Sequence, residues 1–293
     1  MRHRFLSEKA APRLLLAVCL AGILGVALPS PAAAADAPFI TLASTTSTEN
    51  SGFFAYILPR FTGETGIAVR VIARGTGAAL RLGRDGDVDA LLVHHRPSED
   101  AFMAEGFGEL RLDVMYNDFV LVGPGSGTGS GTGSGTGSGP AQPRAGLLET
   151  LRQIARDRAV FASRGDDSGT HKRELSLWKQ AGVDARAASG RWYREVGAGM
   201  GATLNYAAGT GAFALTDRAT WLAFANRGPL GIVSEGDPRL FNPYGVIVLS
   251  AKRFPHVKST LATAFARWLV SPRGREAITG FRLQGTQVFF VQP

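Results

Sequence analysis

Residues 39–52 read FITLASTTSTENSG, an apolar run followed by a dense series of hydroxyl side chains. The apolar residues 39–42 favour a β-strand, and the apolar run at 53–58 favours a helix. The first turn of a helix leaves backbone N–H groups without partners and carries a partial positive charge. A strand, a hydroxyl-rich turn and a helix start in this order predict an α/β fold with an anion site at the turn.

The hydroxyl series is longer than helix capping requires. A single Ser or Thr side chain caps a helix, which is the commonest use of these residues. Here five hydroxyl residues follow one another at positions 44–48. Hydroxyls donate hydrogen bonds without fixed negative charge, which suits an oxyanion. The candidate ligand contacts in this turn are Ser44, Thr45, Thr46 and Ser47.

The first 35 residues have the pattern of a removable signal peptide. A basic start precedes an apolar stretch at 14–28 and the small residues Ala33, Ala34 and Ala35. The apolar stretch is too short for a membrane span. Cys19 is the only cysteine, and Val18 before it disfavours lipoprotein processing. We therefore expect a periplasmic protein of about 258 residues without disulfides.

Charge excludes one class of partner. The formal net charge of +8 falls to about +5 when the leader is removed, and basic and acidic residues are interspersed. No basic run or aromatic-basic stripe is present, so nucleic-acid binding is not expected. The positive balance favours an anionic ligand over a cationic one.

Strand-like and helix-like segments alternate after the first turn. Strands are predicted at 67–73 and 88–93, and helices at 78–83 and 99–105. This βαβ rhythm predicts a mostly parallel sheet covered by helices. Ligands of such sheets bind at the carboxyl ends of the strands.

Two longer strand-like runs, 114–122 and 242–249, offer two crossings between lobes. The first leads into residues 123–140, a Gly-Ser-Thr repeat without apolar side chains. We interpret this repeat as a flexible surface insertion, because it cannot bury itself. No Lys follows it in the arrangement of a nucleotide-binding loop.

A second polar turn, SRGDDSGTH at 163–171, follows the short predicted strand 159–162. Arg164 can fork onto two oxyanion oxygens, and Ser168 and Thr170 add hydroxyls at a helix start. Carboxylates repel an anion, so Asp166 and Asp167 are assigned to helix capping and to orienting Arg164.

A glycine-bounded turn supplies the third group of candidates. Gly75, Thr76 and Gly77 follow a predicted strand and open a helix. The last glycine of a dinucleotide fingerprint is missing, so a tight anion turn fits better than a cofactor site.

Eight segments together carry a family resemblance. They are residues 44–52, 75–77, 89–94, 113–119, 163–170, 199–204, 235–238 and 241–245. With them the chain resembles the periplasmic tungstate-binding proteins of ABC transporters, over nearly the whole mature chain apart from the insertion. The family usually opens the first motif with Thr, where this chain has Ser44, which keeps the hydroxyl.

The resemblance implies a type II periplasmic-binding-protein fold: two α/β lobes with mixed sheets, joined by two crossover strands. The lobe boundaries we expect are 36–117 with 245–293, and 118–244. The resemblance also implies Arg164 and Thr170 as contacts from one lobe and the Thr45–Ser47 turn from the other. The function that the resemblance implies for this protein is to bind tungstate and deliver it to a membrane permease. We expect the protein to act as a monomer without a cofactor or a catalytic residue.

Other functions remain open at this stage. Molybdate has nearly the size and charge of tungstate, and sulfate and phosphate are further rivals. A secreted serine hydrolase would use Ser168 or Ser47 as nucleophile and would need a positioned base such as His171. A zinc site is disfavoured, because His94 and His95 are adjacent on a strand and would point apart.

Overall fold

A computed structural model describes residues 37–125 and 146–291. The predicted leader, 1–35, lies outside the described residues, and so does the predicted insertion 123–140 after its first three positions. Within the described ranges, no helix combines the length and apolar composition needed to cross a membrane.

The chain as far as the insertion alternates strands and helices. Its elements are β1 (Phe39–Thr45), α1 (Thr46–Asn50), α2 (Phe53–Thr65), β2 (Ala68–Arg74), α3 (Thr76–Asp85), β3 (Ala90–Val93), α4 (Arg96–Ala104) and β4 (Gly108–Pro124).

The chain after the insertion continues the alternation and ends in two helices and a small hairpin. Its elements are α5 (Leu147–Asp157), β5 (Phe161–Ser163), α6 (Gly169–Gln180), β6 (Tyr193–Glu195), α7 (Met200–Thr210), β7 (Ala214–Asp217), α8 (Arg218–Ala223), β8 (Leu230–Ser234), β9 (Phe241–Leu249), α9 (Ser259–Val270), α10 (Pro272–Gly280), β10 (Arg282–Leu283) and β11 (Thr286–Gln287).

The first polar stretch differs from the simple turn expected from the sequence. β1 continues to Thr45, and the hydroxyl residues after it form the short helix α1. Thr45 caps this helix by accepting a hydrogen bond from the backbone N–H of Thr48. Gly52 lies between α1 and α2 with φ of 78°. This left-handed conformation is one that glycine adopts more readily than other residues.

The large sheet has the strand order β2-β1-β3-β9-β4-β7, with β8 also paired to β4. β1 is parallel to β2 and β3, whereas β9 is antiparallel to both β3 and β4. β7 and β8 are antiparallel to β4 as well. The prediction of a mostly parallel sheet is therefore wrong for this part, because β4 and β9 cross the molecule in opposite directions. The mixed sheet expected from the family resemblance is confirmed.

The two long strands connect separate apolar cores. Val114 and Met115 of β4 pack in a core with β1, α2 and α9, whereas Phe119 and Leu121 pack in another with α5 and α6. β9 returns the chain, with Tyr244 in the first of these cores. β4 therefore crosses from one core to the other, and β9 starts directly after Leu240, which packs in the second core.

Candidate functional site

The β1–α1 junction brings the first predicted hydroxyls together. Thr45 Oγ1 lies 3.1 Å from Ser47 Oγ and 2.7 Å from Thr48 Oγ1. Thr45, Ser47 and Thr48 are buried, and Thr46 is half-buried. A compact cluster of hydroxyls thus sits at the carboxyl end of β1.

Ser44 is bonded differently from its neighbours. Its hydroxyl donates to the carbonyl of Leu92 on β3 over 2.6 Å. The two residues are paired in the parallel register of β1 and β3. Because a hydroxyl has one proton, this side chain keeps none for an anionic ligand.

The Arg164 side chain is 3% exposed and is held by Asp166. Asp166 Oδ2 accepts from Arg164 Nη2 over 2.5 Å and from Nε over 3.1 Å, while Oδ1 accepts from the Ser168 N–H over 3.2 Å. One edge of the guanidinium is therefore fixed, and among the described bonds Nη1 remains for a ligand. Asp166 lies where a capping and orienting carboxylate would lie.

The turn between β5 and α6 is shaped by two left-handed residues. Gly165 has φ of 60° and Asp167 has φ of 57°. Ser168 then caps α6 by accepting from the His171 N–H over 3.2 Å. Asp167 forms an ion pair of 2.9 Å with Lys172. The twelve-residue helix α6 begins directly after this turn, at Gly169.

Thr170 is a buried donor without a partner. Its side chain lies in the first turn of α6 and is 1% exposed. Its Oγ1 makes no hydrogen bond within the described residues. A buried polar group left unpaired costs about 1–3 kcal/mol. An anion at this helix start would accept this bond and remove the cost.

The second and third candidate groups meet directly. The Gly169 N–H donates to Thr76 Oγ1 over 3.0 Å. A Cβ on Gly77 would lie 2.0 Å from Asp167 Oδ2, and one on Gly75 would lie 4.0 Å from the Ser168 Cβ. The starts of α3 and α6 therefore face each other, and because Thr76 accepts this bond its own proton stays available.

Three neighbouring ionisable groups have shifted pKa values. Burial acts to raise the pKa of Asp166, but the charge of Arg164 and the hydrogen bonds outweigh it and lower the pKa. Burial lowers the pKa of His94 to about 4 and raises that of Asp217, against the effects of Thr220 and Arg164. The His94 ring near Arg164 is therefore neutral at pH 7. Among the described residues, Asp166 is the one carboxylate that forms an ion pair with Arg164.

The sequence assigned no ligand role to several residues beside this site. His94 Nδ1 lies 3.0 Å from Asn242 Oδ1, and its ring stacks on Tyr244 at 4.7 Å. Asn242 also bonds Asn117. All four lie in segments that carry the family resemblance, which was the available signal, but only the pairing of β9 with both β3 and β4 brings them together.

Among the described residues, neither predicted nucleophile, Ser47 or Ser168, has its hydroxyl bonded to a histidine ring. Ser168 Oγ contacts His171 through the backbone N–H, whereas the His171 ring Nδ1 accepts from the Asp167 N–H over 3.2 Å. On the alternative of a zinc site, the two adjacent histidines bond different residues: His94 contacts Asn242, and His95 contacts Ser98. Hydroxyls, helix N–H groups and one guanidinium can bind an oxyanion, but they lack an activated nucleophile.

Comparisons with known proteins agree on one family. A PBP superfamily domain matches residues 30–273. The tungstate-binding protein TupA of Peptoclostridium acidaminophilum is 41% identical over 239 residues, which cover 82% of this chain and 80% of that protein.

Two solved structures extend the comparison to the fold. The tungstate-binding protein TupA of Desulfovibrio alaskensis G20 has a TM-score of 0.72 at 41% identity, covering 87% of this chain and 99% of its own. The tungstate ABC transporter structure from Geobacter sulfurreducens has a TM-score of 0.70 at 44% identity, covering 83% and 98%. The predicted type II periplasmic-binding-protein fold is thereby confirmed. This chain belongs to the PBP superfamily and, within it, to the family of the TupA tungstate-binding proteins.

Proposed function

We propose that this protein binds tungstate outside the cytoplasm and delivers it to an ABC permease. The names of the relatives point to this ligand. Within the chain, the observation that carries the proposal is the buried, unpaired Thr170 hydroxyl in the first turn of α6, the helix that follows the Arg164 turn. Tungstate at neutral pH is a tetrahedral dianion whose oxygens only accept hydrogen bonds. A site that offers donors alone matches it.

The proposed donors come from three turns. Arg164 supplies the only charged group among these donors, through Nη1, because its Nε and Nη2 already bond Asp166. The others are helix N–H groups and hydroxyls of Thr45, Thr46, Ser47, Gly75, Thr76, Gly77, Ser168 and Thr170. Ser44 supports the loop through Leu92 instead of using its hydroxyl proton on the ligand. Because removing a dianion from water is costly, many donors must converge on it.

The two acidic residues beside Arg164 disfavour hydrogen phosphate as the ligand. Hydrogen phosphate carries a proton, so a selective site must present an acceptor. Both Asp166 oxygens already accept bonds from Arg164 and Ser168. Asp167 pairs with Lys172 and its side chain is 60% exposed. This occupancy supports an oxyanion without a proton, a property that tungstate shares with molybdate and sulfate.

The remaining parts of the proposal concern the whole chain. Residues 1–35 would direct secretion to the periplasm and be removed. The mature protein would act as a monomer with lobes 36–117 plus 245–293 and 118–244, and the separate apolar cores support this division. Closure of two lobes on the ion would exclude water. No catalytic residue or cofactor takes part.

The test is titration calorimetry with tungstate, molybdate, sulfate and hydrogen phosphate. Thr170→Val removes the unpaired hydroxyl while keeping the shape, so tungstate affinity should fall roughly 10-fold to 100-fold in a folded protein. Thr62→Val is the matched control, because the Thr62 hydroxyl bonds the Ile67 carbonyl within α2 and its following turn. No binding of tungstate by the unaltered protein would overturn the proposed function.

A further inference from the structure

Three polar side chains form a buried chain where β4 and β9 pair. Asn242 Nδ2 donates to Asn117 Oδ1 over 2.6 Å, and Asn242 Oδ1 lies 3.0 Å from His94 Nδ1. The sequence separations are 125 and 148 residues, so the fold alone brings these groups together. Asn117 is 1% exposed, and its Nδ2 has no hydrogen-bond partner within the described residues.

The hydrogen bonds in this series of side chains all run in one direction. An amide oxygen only accepts, so His94 Nδ1 must carry the proton that bonds Asn242. Burial, reinforced by the charge of Arg164, lowers the pKa of His94 to about 4 against the effect of this bond. The neutral ring therefore has its single N–H on Nδ1. Asn242 then turns its amino group to Asn117, which leaves the Asn117 amino group as the terminal donor.

The terminal donor lies beside the elements that form the oxyanion site. Burial raises the pKa of the Tyr244 hydroxyl, and the side chains of Thr48, Asn117 and Asn242 act against it from close by. Thr48 Oγ1 in turn lies 2.7 Å from Thr45 Oγ1 in the first turn of the site. Asn117 and Thr48 are thus both near the Tyr244 hydroxyl, which connects Asn117 to the hydroxyl cluster at the end of β1.

At the other end of this series of side chains, His94 lies against the start of α6. A Cβ on Gly169 would lie 3.0 Å from His94 Cε1, so the imidazole packs against the start of α6. Arg164 is near enough for its charge to lower the pKa of this ring. The chain therefore spans the space between the two turns, and Thr170 at the start of α6 also carries an unpaired buried donor.

We propose that Asn117 is a further donor to the bound oxyanion, oriented by Asn242 and His94 as positioning residues, and that it selects against oxyanions that carry a proton. The inference rests on the proposed function. A buried amino group without a hydrogen-bond acceptor destabilises the protein, and an oxyanion oxygen that accepts its hydrogen bond removes that cost. A protonated oxygen facing the same amino group would find a donor where it needs an acceptor.

The test compares Asn117→Asp with Asn205→Asp by titration of tungstate and hydrogen phosphate. Asn117→Asp keeps the acceptor for Asn242 and replaces the terminal donor by an acceptor. Asn205→Asp adds the same charge on the surface and keeps the acceptor for Asn226 Nδ2. We expect tungstate affinity to fall roughly 100-fold in the first variant, and the tungstate preference over hydrogen phosphate to shrink at least as much. The control should keep both values.

Each outcome separates this inference from the function on which it rests. Tungstate affinity within about two-fold of the unaltered protein in folded Asn117→Asp would overturn the inference alone, and would indicate that Asn117 pairs with Tyr244 or presents its oxygen. If Asn117→Asp does not fold, Asn117→Ala decides: a roughly 10-fold loss supports the inference and an unchanged affinity overturns it. Absence of tungstate binding in the unaltered protein refutes the function itself.

The positioning role of His94 has its own readout. His94→Gln keeps an amide donor that can reach Asn242, whereas His94→Phe keeps the ring packing and removes the donor. We expect the preference for tungstate over hydrogen phosphate to be kept in His94→Gln and to shrink in His94→Phe. Without the His94 donor, the amide groups of Asn242 and Asn117 can rotate and exchange their oxygen and nitrogen positions. Equal preferences in the two variants would overturn the role of His94.

Discussion

The backbone N–H of Gly169 donates to the hydroxyl of Thr76 over 3.0 Å, although 93 positions separate the two residues. Thr76 begins α3 and Gly169 begins α6, so this bond joins two helix starts that carry proposed ligand donors. It also satisfies one of the backbone donors that a helix start leaves unpaired. Changes at this contact should therefore alter ligand affinity more than they alter folding.

Gly77→Ala tests this contact. The added Cβ would lie 2.0 Å from Asp167 Oδ2 and 3.4 Å from the Asp167 backbone oxygen. The exposed Asp167 carboxylate can move, but the turn behind it holds Arg164 and Ser168 in place. We expect tungstate affinity to fall roughly 10-fold, and the free energy of unfolding to change by less than about 1 kcal/mol. Calorimetry and urea unfolding measure the two quantities.

Gly63→Ala is the matched control for that substitution. Gly63 lies inside α2, and a Cβ there would meet no atom within 4 Å. Replacing glycine by alanine in a helix interior should stabilise the fold by about 0.5–1 kcal/mol and leave affinity unchanged. Equal affinities in the Gly77 and Gly63 variants would contradict a ligand site at this contact.

The Asp166 carboxylate should make stability depend on acid. Its pKa in the folded state lies below the usual value, because Arg164 and the hydrogen bonds outweigh burial. Its contribution is therefore present above the unfolded pKa near 3.8 and is lost as the pH falls through the folded value. Asp166→Asn should lower the free energy of unfolding by about 1–3 kcal/mol at pH 7.

The control for this prediction is the same measurement in acid. The difference between Asp166→Asn and the unaltered protein should begin to narrow below about pH 4, where the unfolded chain takes up the proton, and should be smallest once the pH is below the lowered folded pKa and the folded carboxyl is neutral as well. Urea unfolding at a series of pH values gives the difference directly. A gap that stays constant would show that ionisation of Asp166 does not stabilise the fold.

Glu174 should have the opposite dependence. Burial raises its pKa to about 8, against hydrogen bonds from groups that include Tyr193, whose hydroxyl lies 2.6 Å from Glu174 Oε1. The folded protein then holds a proton that the unfolded chain releases near 4.5, so stability falls as the pH rises between these values. Glu174→Gln lacks this proton, and its stability relative to the unaltered protein should increase by a few kcal/mol, roughly, from pH 5 to pH 8.

Urea unfolding of both proteins at pH 5 and pH 8 decides the matter. Glu99 also carries a raised pKa, but it is present in both proteins and cancels from the difference. A relative stability of Glu174→Gln that does not change with pH would mean that the folded protein does not retain the Glu174 proton.

Local patterns were enough to predict much of the fold. The apolar runs at 67–73 and 88–93 correspond to β2 and β3, and the helix predicted at 78–83 lies within α3. The polar turns at 75–77 and 163–171 were predicted as ligand-side loops, and the structure brings them into contact through Thr76 and Gly169. A strand followed by a polar helix start is a local signal, so it can be recognised without tertiary information.

Relationships across the sheet could not be predicted in the same way. The use of the Ser44 proton depends on its pairing with Leu92, and the hydrogen-bonded series of His94, Asn242 and Asn117 depends on the antiparallel registers of β9 with β3 and with β4. Strand direction is decided by where the chain crosses between cores, and apolar periodicity carries no such information. The ligand role proposed for Asn117 therefore required the fold.

The buried pair of Glu99 and Arg111 gives the last prediction. Arg111 donates to Glu99 Oε2 from Nε over 2.9 Å and from Nη2 over 2.7 Å, and the Glu99 side chain is fully buried. Burial raises the pKa of Glu99 to about 7 in spite of this partner. Arg111→Met would leave the carboxyl unpaired, so we expect a loss of about 3–5 kcal/mol that is larger at pH 8 than at pH 6.

A double variant separates the loss of an ion pair from the loss of packing. Glu99→Met combined with Arg111→Met replaces both partners by apolar side chains, and it should recover most of the stability that Arg111→Met loses. Its stability should also lose the pH dependence between 6 and 8 that comes from Glu99. If the double variant is no more stable than Arg111→Met, the guanidinium stabilises β4 through its bond to Asp113 and its packing, since the unpaired carboxyl would then add no cost of its own.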